Sequence, residues 1–449
     1  MTMEVNVLSK KLIKPSTPTP NHPQTYKLSF FDQLAPPTHI PLIFFYTADD
    51  DTNKEMVKID QKLQQLEKSL SEILTLFYPE AGRFVNDDLL IDCNDQGVEF
   101  LEAKVNVQLM EFLNQGPKLE LVNHFVPWGI GPAKLATTPM VAIQATVFEC
   151  GGLAICVHAS HIVNDGFTGS RFIQAWATAS RLGLSKVVCP SFDLPSLFPS
   201  RDVSAVLKAA PPKDVGAKVI TRRFLFDAAT ISAFKQEVKV RPRDTCDTLD
   251  SNSEREPSKL EVVMASTWKA LIRLARVKHE GKLRPSVMTL PVNLRSRTAL
   301  ETPKNSFGNF YMTCPSKFEP EESETTLLSH LVGLIRNTVR NTLAKAAKLT
   351  NADEVFAALL NDLNVAMRAV IDEEVDAHFF TTMCGFSLYD TDFGFGKPFL
   401  VSNASVPMEL ISLMDTKCGT GIEVWVSLKQ PDMAVLEKDS ELGALMIMG

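Results

Sequence analysis

The sequence predicts an α/β fold with mixed sheets, divided into two units. Three observations carry this. Strand and helix patterns alternate through both halves of the 449-residue chain, which argues for layered helices on sheets. Pairs of strand patterns separated by short Gly-containing turns demand antiparallel neighbours within those sheets. A proline-rich, aperiodic stretch over 190–218 (Pro190, Pro195, Pro199, Pro211, Pro212) separates the halves as a crossover.

Composition bounds the rest. Apolar residues make up 45% of the chain and charged residues 22%, with a net charge of −7, which excludes a mainly disordered chain. The mild acidity and the absence of long basic runs argue against nucleic-acid binding. Eight cysteines form no CxxC pair and read as reduced thiols. The closest pair, Cys150 and Cys156, flanks a Gly-Gly turn. The N-terminus has Lys10, Lys11 and Lys14 but no apolar core, so no signal peptide is expected. No apolar run reaches the length of a membrane span. A soluble cytoplasmic protein is the expectation.

The elements follow in order. Leu42–Tyr46 is short, apolar and aromatic, as a buried strand is. Leu63, Leu66, Leu70, Ile73, Leu74 and Phe77 recur at helical spacing, predicting an amphipathic helix over roughly 53–77 that Pro79 ends. Leu89–Cys93 and Val98–Ala103 flank Asn94-Asp95-Gln96-Gly97 and read as a hairpin. Met140–Phe148 and Leu153–Val157 flank Gly151-Gly152 and read as a second one, followed by a helix through Phe172 and Trp176. Beyond the crossover come a strand over Val219–Phe226, a helix to about Val240 and a polar surface loop over 241–257. Ser258 and Glu261 form a capping box ahead of the next helix. Val287–Val292 is a strand, 323–346 and 353–370 are helices, and Leu410–Met414 and Gly421–Leu428 are late strands.

The densest polar cluster directly follows the second strand of the second hairpin: His158-Ala159-Ser160-His161-Ile162-Val163-Asn164-Asp165-Gly166. Loops at strand ends are where α/β folds carry chemistry. A histidine there titrates near working pH and can serve as a general base. Asp165 can cap a helix or pair with a cation, and Gly166 allows a close backbone approach. Two other readings stand beside this one. One is a satisfied histidine next to a helix cap. The other is a metal site of His158, His161 and Asp165, against which the alternating faces of neighbouring strand positions argue. No GxSxG, GxGxxG or P-loop pattern occurs. A second cluster, Asp392-Phe393-Gly394-Phe395-Gly396, places two glycines among aromatics and reads as a structural loop.

His161-x-x-x-Asp165-Gly166 and Asp392-Phe393-Gly394-Phe395-Gly396, about half a chain apart, resemble the HxxxDG and DFGWG motifs of the plant BAHD acyltransferases. Further pieces stand in the family's order: Leu28-Ser29-Phe30-Phe31-Asp32-Gln33, Tyr78-Pro79-Glu80-Ala81-Gly82-Arg83, Asn293-Leu294-Arg295-Ser296-Arg297 and Phe307-Gly308-Asn309. The resemblance runs over nearly the whole length. It implies two similar-sized domains of chloramphenicol acetyltransferase-like fold, each a mixed sheet flanked by helices, with a channel between them. The boundaries it suggests are 1–199, a linker over 200–218, and 219–449, with a segment near 392–411 packing on the first domain.

By the same resemblance His161 is the catalytic base. Asp165, supported by Gly166, holds the loop through an arginine. Asp392, Gly394 and Gly396 are structural at the domain interface. Arg295 is expected to pair with Asp392, and Thr381 is a candidate oxyanion donor or ligand contact. No metal or bound cofactor is implied. Acyl-CoA is the cosubstrate, a small hydroxylated molecule the acceptor, and a monomer the expected state. The sequence departs from the family where Phe395 replaces the motif tryptophan and where Met383-Cys384-Gly385 lacks the usual Trp and Arg. The chain's head, Ser9-Lys10-Lys11-Leu12-Ile13-Lys14-Pro15, resembles the subgroup that holds alkaloid acetyltransferases and acylsugar acyltransferases, and Phe395 with the segment Asp32-Gln33-Leu34-Ala35-Pro36-Pro37 resembles the acylsugar enzymes, which implies a sucrose or partly acylated sugar acceptor. An alkaloid or terpenoid alcohol is the alternative, and a non-catalytic binding homologue a third.

Overall fold

The structure, a computed structural model, describes residues 3–19, 24–48, 55–85, 88–114, 119–128, 138–203, 218–240, 255–320 and 327–447. Most of the expected crossover over 200–218 and of the loop over 241–257 lies outside them.

In chain order the strands are β1 (Val5–Ile13), β2 (Thr25–Lys27), β3 (His39–Tyr46), β4 (Arg83–Val85), β5 (Leu90–Asp92), β6 (Val98–Val105), β7 (Val141–Phe148), β8 (Leu153–Ser160), β9 (Val219–Phe226), β10 (Ser286–Asn293), β11 (Tyr311–Phe318), β12 (Asp376–Thr382), β13 (Leu400–Asn403), β14 (Leu410–Asp415) and β15 (Ile422–Lys429). The helices are α1 (Phe30–Gln33), α2 (Glu55–Ile73), α3 (Leu109–Asn114), α4 (Leu119–Val122), α5 (Gly166–Leu182), α6 (Leu194–Leu197), α7 (Ala228–Val240), α8 (Lys259–Lys278), α9 (Leu327–Ala346), α10 (Ala352–Ile371) and α11 (Gln430–Leu436). Two six-stranded sheets result, ordered β1-β6-β7-β8-β3-β13 and β11-β10-β12-β14-β15-β9, with a small sheet β2-β5-β4. Both large sheets mix parallel and antiparallel pairs, as expected. Among the described residues no helix is long and apolar enough to cross a membrane.

The β7–β8 hairpin forms the centre of the first sheet, with Ala145 opposite Ile155 and every residue of both strands buried. On one face lie α2 and α5. The Leu66, Leu70 and Ile73 stripe of α2 is fully buried there with Phe172 and Trp176 of α5. The Trp176 indole N–H donates to Leu66 O and Ser69 Oγ, at 3.2 and 3.1 Å, which fixes one helix on the other. The second sheet packs its core against α8, whose N-terminus carries the predicted capping box: Ser258 accepts from Glu261 N, and Glu261 accepts from Ser258 N. β13 belongs to the second half of the chain but pairs with β3 in the first sheet, Val401 opposite Phe44.

Two local expectations need correction. The 89–103 segment is not a hairpin. β5 pairs with β2 and β4 in the small sheet, whereas β6 pairs with β1 and β7 in the large one. Gly97 redirects the chain: its φ is +94°, its N–H donates to Ala81 O, and a Cβ there would lie 2.5 Å from Ile13 O. β1 gave no strand signal because it is a solvated edge. Val7, Leu8 and Leu12 are exposed, and Lys11 bonds Glu67 and Glu102 instead of supplying an apolar face. Among the described residues seven cysteines are free thiols, Cys150 and Cys156 included.

Candidate active site

The first sheet delivers the site. β8 ends at Ser160, and His161 begins the turn that follows, anchored by its N–H to Thr38 O at 2.7 Å. Asp165 then caps α5, its Oδ1 accepting from Thr168 N at 2.8 Å. This satisfies one of the unpaired N–H groups of the first helical turn. Gly166 sits in a crowded place: a Cβ would meet Phe386 Cε2 at 2.9 Å and Met383 Sδ at 3.1 Å. Both belong to the segment before the second motif, so the second half of the chain closes directly over the turn.

The other oxygen of Asp165 crosses between halves. Arg295 Nη1 donates to Oδ2 at 2.7 Å and Phe310 N donates to it at 3.0 Å. Arg295 is itself saturated, donating also to Ser306 O, Gly308 O, Thr168 Oγ1 and Asn293 Oδ1 while lying over the Phe167 ring. Burial pushes the Asp165 carboxyl up, but the Arg295 charge and these hydrogen bonds outweigh it and hold the group below its ordinary range. The arginine expected for Asp165 is therefore Arg295.

The expected Arg295–Asp392 pair does not form. Asp392 pairs with Arg181 at 3.0 Å. Arg181 lies at the C-terminal end of α5, and Asp165 caps its N-terminus, so the two aspartates stand about 24 Å apart along the helix. At that far end Asp392 Oδ1 accepts from Gly394 N and Gly396 N at 2.8 and 3.0 Å. Both glycines have positive φ, +108° and +99°. Phe393 is fully buried, and its carbonyl accepts from Gln65 Nε2 of α2 at 2.8 Å and from Ser180 Oγ of α5. Phe395 packs edge-on against Tyr46, beneath Lys62. The motif clasps α2 and α5 together.

His161 itself is partly exposed. Its Nδ1 is buried and has no partner among the described residues. Burial lowers its pKa below the ordinary value, opposed by its own backbone, by the Asp165 charge and by Asn309. The ring of Tyr311 lies 6.4 Å away, centroid to centroid. Since both Asp165 oxygens are bonded elsewhere, His161 and Asp165 form no proton-relay dyad.

Asn309 and Asp32 were not singled out as functional from sequence, although both lie in the family-like pieces quoted above. Asn309 Nδ2 donates to the carbonyls of His161 and Ile162, both at 2.9 Å, and to Asp32 Oδ1 at 3.0 Å. Its backbone N–H donates to the same Asp32 oxygen at 2.7 Å. Burial pushes Asp32 up to about 6 against these bonds and those from Ser29. A second-half residue thus holds the backbone of the histidine turn.

The remaining candidates disperse. His158 turns to the opposite side, its ring 5.2 Å from His39 and 5.8 Å from Trp128. It does not converge with His161 and Asp165, and among the described residues no cluster of three His, Cys, Asp or Glu has metal-holding geometry. Thr381 sits on β12 opposite Ser412, which in turn faces Trp425. This row lies on the face of the second sheet away from its own core, since the neighbouring Phe380 enters that core. Ser412 Oγ accepts from Asn403 of β13, so the row faces the first sheet's added strand.

Two mixed sheets with a strand lent by the second half to the first, and a strand-end histidine turn braced from both halves, define an acyltransferase of the chloramphenicol acetyltransferase-like fold. The chain belongs to the Transferase family, the BAHD acyltransferases, whose family model matches residues 3–443. It is 35% identical over 445 residues to an acetyl-CoA-benzylalcohol acetyltransferase of Clarkia breweri, covering 98% of this chain and 99% of that one. It is 34% identical over 462 residues to a limonoid 7-O-acetyltransferase of Citrus sinensis, covering 99% and 98%. Among solved structures, vinorine synthase superposes with a TM-score of 0.81 at 30% identity, covering 99% of this chain and 98% of that one.

Proposed function

We propose that this protein transfers an acyl group from acyl-CoA to a hydroxyl of a small plant specialised metabolite, with His161 as general base. One observation carries the reading: a partly exposed, pKa-lowered histidine at a strand end, whose backbone is fixed by Asn309 and whose turn is fixed by Asp165 and Arg295. A lowered pKa keeps the imidazole neutral near pH 7, the form that accepts a proton. In the neutral tautomer that carries its proton on Nδ1, Nε2 is free to accept. The acceptor hydroxyl gives its proton to Nε2, and its oxygen attacks the thioester carbonyl. The tetrahedral oxyanion needs a hydrogen-bond donor, a role for which Thr381 is the candidate. The C–S bond then breaks, and the protonated imidazole returns the proton to the leaving CoA thiolate. Both substrates are bound together, so no acyl-enzyme is required.

Asp165, Gly166 and Arg295 act as the brace of this turn, and Asp392, Gly394 and Gly396 as the distant clasp. The relatives' names point to acetyl transfer onto apolar alcohols such as a limonoid. The sucrose or partly acylated sugar reading rests on Phe395 and on the segment from Asp32 to Pro37. Phe395 packs about 24 Å from the histidine turn along α5, so it does not touch the acceptor there. A matrix of acyl-CoA donors against benzyl alcohol, triterpenoid alcohols, alkaloid alcohols and sucrose, read by product mass and thiol release, tests the function. Thiol release should require an alcohol and should fall about 100-fold or more in His161→Ala. Donor or acceptor binding with no product across the whole matrix would instead make the chain a non-catalytic homologue.

A further inference from the structure

One group beside the catalytic turn has no role in the reaction above. Glu80 sits in the short helical turn Tyr78–Ala81 and is completely buried. Among the described residues neither carboxyl oxygen has a hydrogen bond of good geometry. The side chain beside it is Asn164, which lies inside the His161–Asp165 turn. Asn164 Nδ2 donates to the carbonyl of Ser160, the residue preceding His161, at 3.0 Å, and Asn164 Oδ1 is buried without a partner. Three buried acceptor atoms, two on Glu80 and one on the neighbouring Asn164, thus lack a well-formed hydrogen bond among the described residues. A carboxylate would leave this deficit in place, because it is acceptor-only, whereas a carboxylic acid supplies one O–H donor.

We propose that Glu80 is a positioning residue for the catalytic turn: as a neutral acid it donates to Asn164 Oδ1, which orients the Asn164 amide onto Ser160 O and fixes the backbone that carries His161. The chemistry of the surroundings agrees. Burial pushes Glu80 up to about 8, and the neighbouring Asn164 only partly offsets it. Tyr26 of β2 responds to Glu80, to Asp32 of α1, to Tyr78 and to Arg295. Arg295 is committed to Asp165, and Asp32 accepts from Asn309 and Ser29.

The positioning role rests on the reading of His161 as base, and the test separates the two. Glu80→Gln keeps an N–H donor toward Asn164 but cannot ionise. With acetyl-CoA and whichever alcohol the matrix identifies, wild-type kcat should fall about fivefold or more between pH 7.5 and 9.5 as the donor is lost, while KM for acetyl-CoA moves little. Glu80→Gln should flatten that alkaline limb. An independent readout needs no activity. The raised Glu80 pKa lowers wild-type stability as pH rises from the ordinary glutamate pKa to about 8. The melting temperature of Glu80→Gln minus that of wild type should therefore grow between pH 5 and 8 and level off above. A difference independent of pH overturns the neutral acid. A pH-dependent melting difference with an unchanged alkaline limb overturns the positioning role but not the acid. An inactive wild type with the expected melting difference overturns the function and leaves the protonated Glu80 standing.

Discussion

Arg295 Nη1 lies 2.7 Å from Asp165 Oδ2, and the two residues are 130 positions apart in the chain. Both side chains are nearly inaccessible, at 2% and 8% exposure. The pair joins the loop after β10 to the N-terminus of α5, so the helix cap of the first half is completed by a cation from the second.

Breaking that pair should be costly. Arg295→Met leaves an ionised carboxylate buried beside backbone donors only, and should destabilise the protein by about 3–5 kcal/mol. Urea unfolding measures this. The sign with pH follows from the depressed Asp165 pKa. Its stabilisation is present above the ordinary aspartate pKa and is lost as pH falls through the lower folded value. Arg295→Met should therefore lose much of this acid-range dependence. An unchanged acid limb would assign it to other carboxylates.

The activity profile has its own acidic limb. His161 must be neutral to accept a proton, and burial lowers its pKa. Activity should fall on acidification with a midpoint below the ordinary histidine pKa of about 6.5. A kcat/KM profile between pH 4.5 and 7.5 checks this, and a midpoint above 6.5 contradicts it.

Gly166→Ala tests the fit between the halves. The added methyl meets Phe386 and Met383 at 2.9 and 3.1 Å. Because alanine is otherwise the better helix residue, any loss reports the clash. We expect a destabilisation of about 1–3 kcal/mol and a reduced kcat. Phe386→Leu in the same background should restore part of both.

Asp392→Ala should act on stability and spare the chemistry. It removes the acceptor for Gly394 N and Gly396 N and the partner of Arg181. A loss of about 1–2 kcal/mol is expected. At a temperature where the variant is folded, kcat should stay within about threefold of wild type, since distant sites act independently. A loss as deep as that of His161→Ala would place the loop in the chemistry instead.

Much of this was legible in one dimension. The α2 stripe, the β7–β8 hairpin, the Ser258–Glu261 capping box and the strand-end position of His161 all follow from local period, turn chemistry and short-range hydrogen bonding. The misreadings share one cause. Leu89–Ala103 has a hairpin's local pattern, but its two strands find partners in different sheets. β1 is a strand only because β6 offers it an edge. Arg295 was assigned to the wrong aspartate because the two carboxylates look alike in sequence and differ only in which end of α5 they occupy.

The sequence by itself determined the strand and helix patterns and placed His161 at the end of a buried strand, because these depend on neighbours a few residues away. Only the tertiary structure decided what braces that histidine. Asn309, Arg295 and the buried Glu80 reach the turn through contacts spanning about 80 to 150 positions. Such contacts leave no local period, because they are created when segments far apart in the chain pack together and buried polar groups meet in the space that remains.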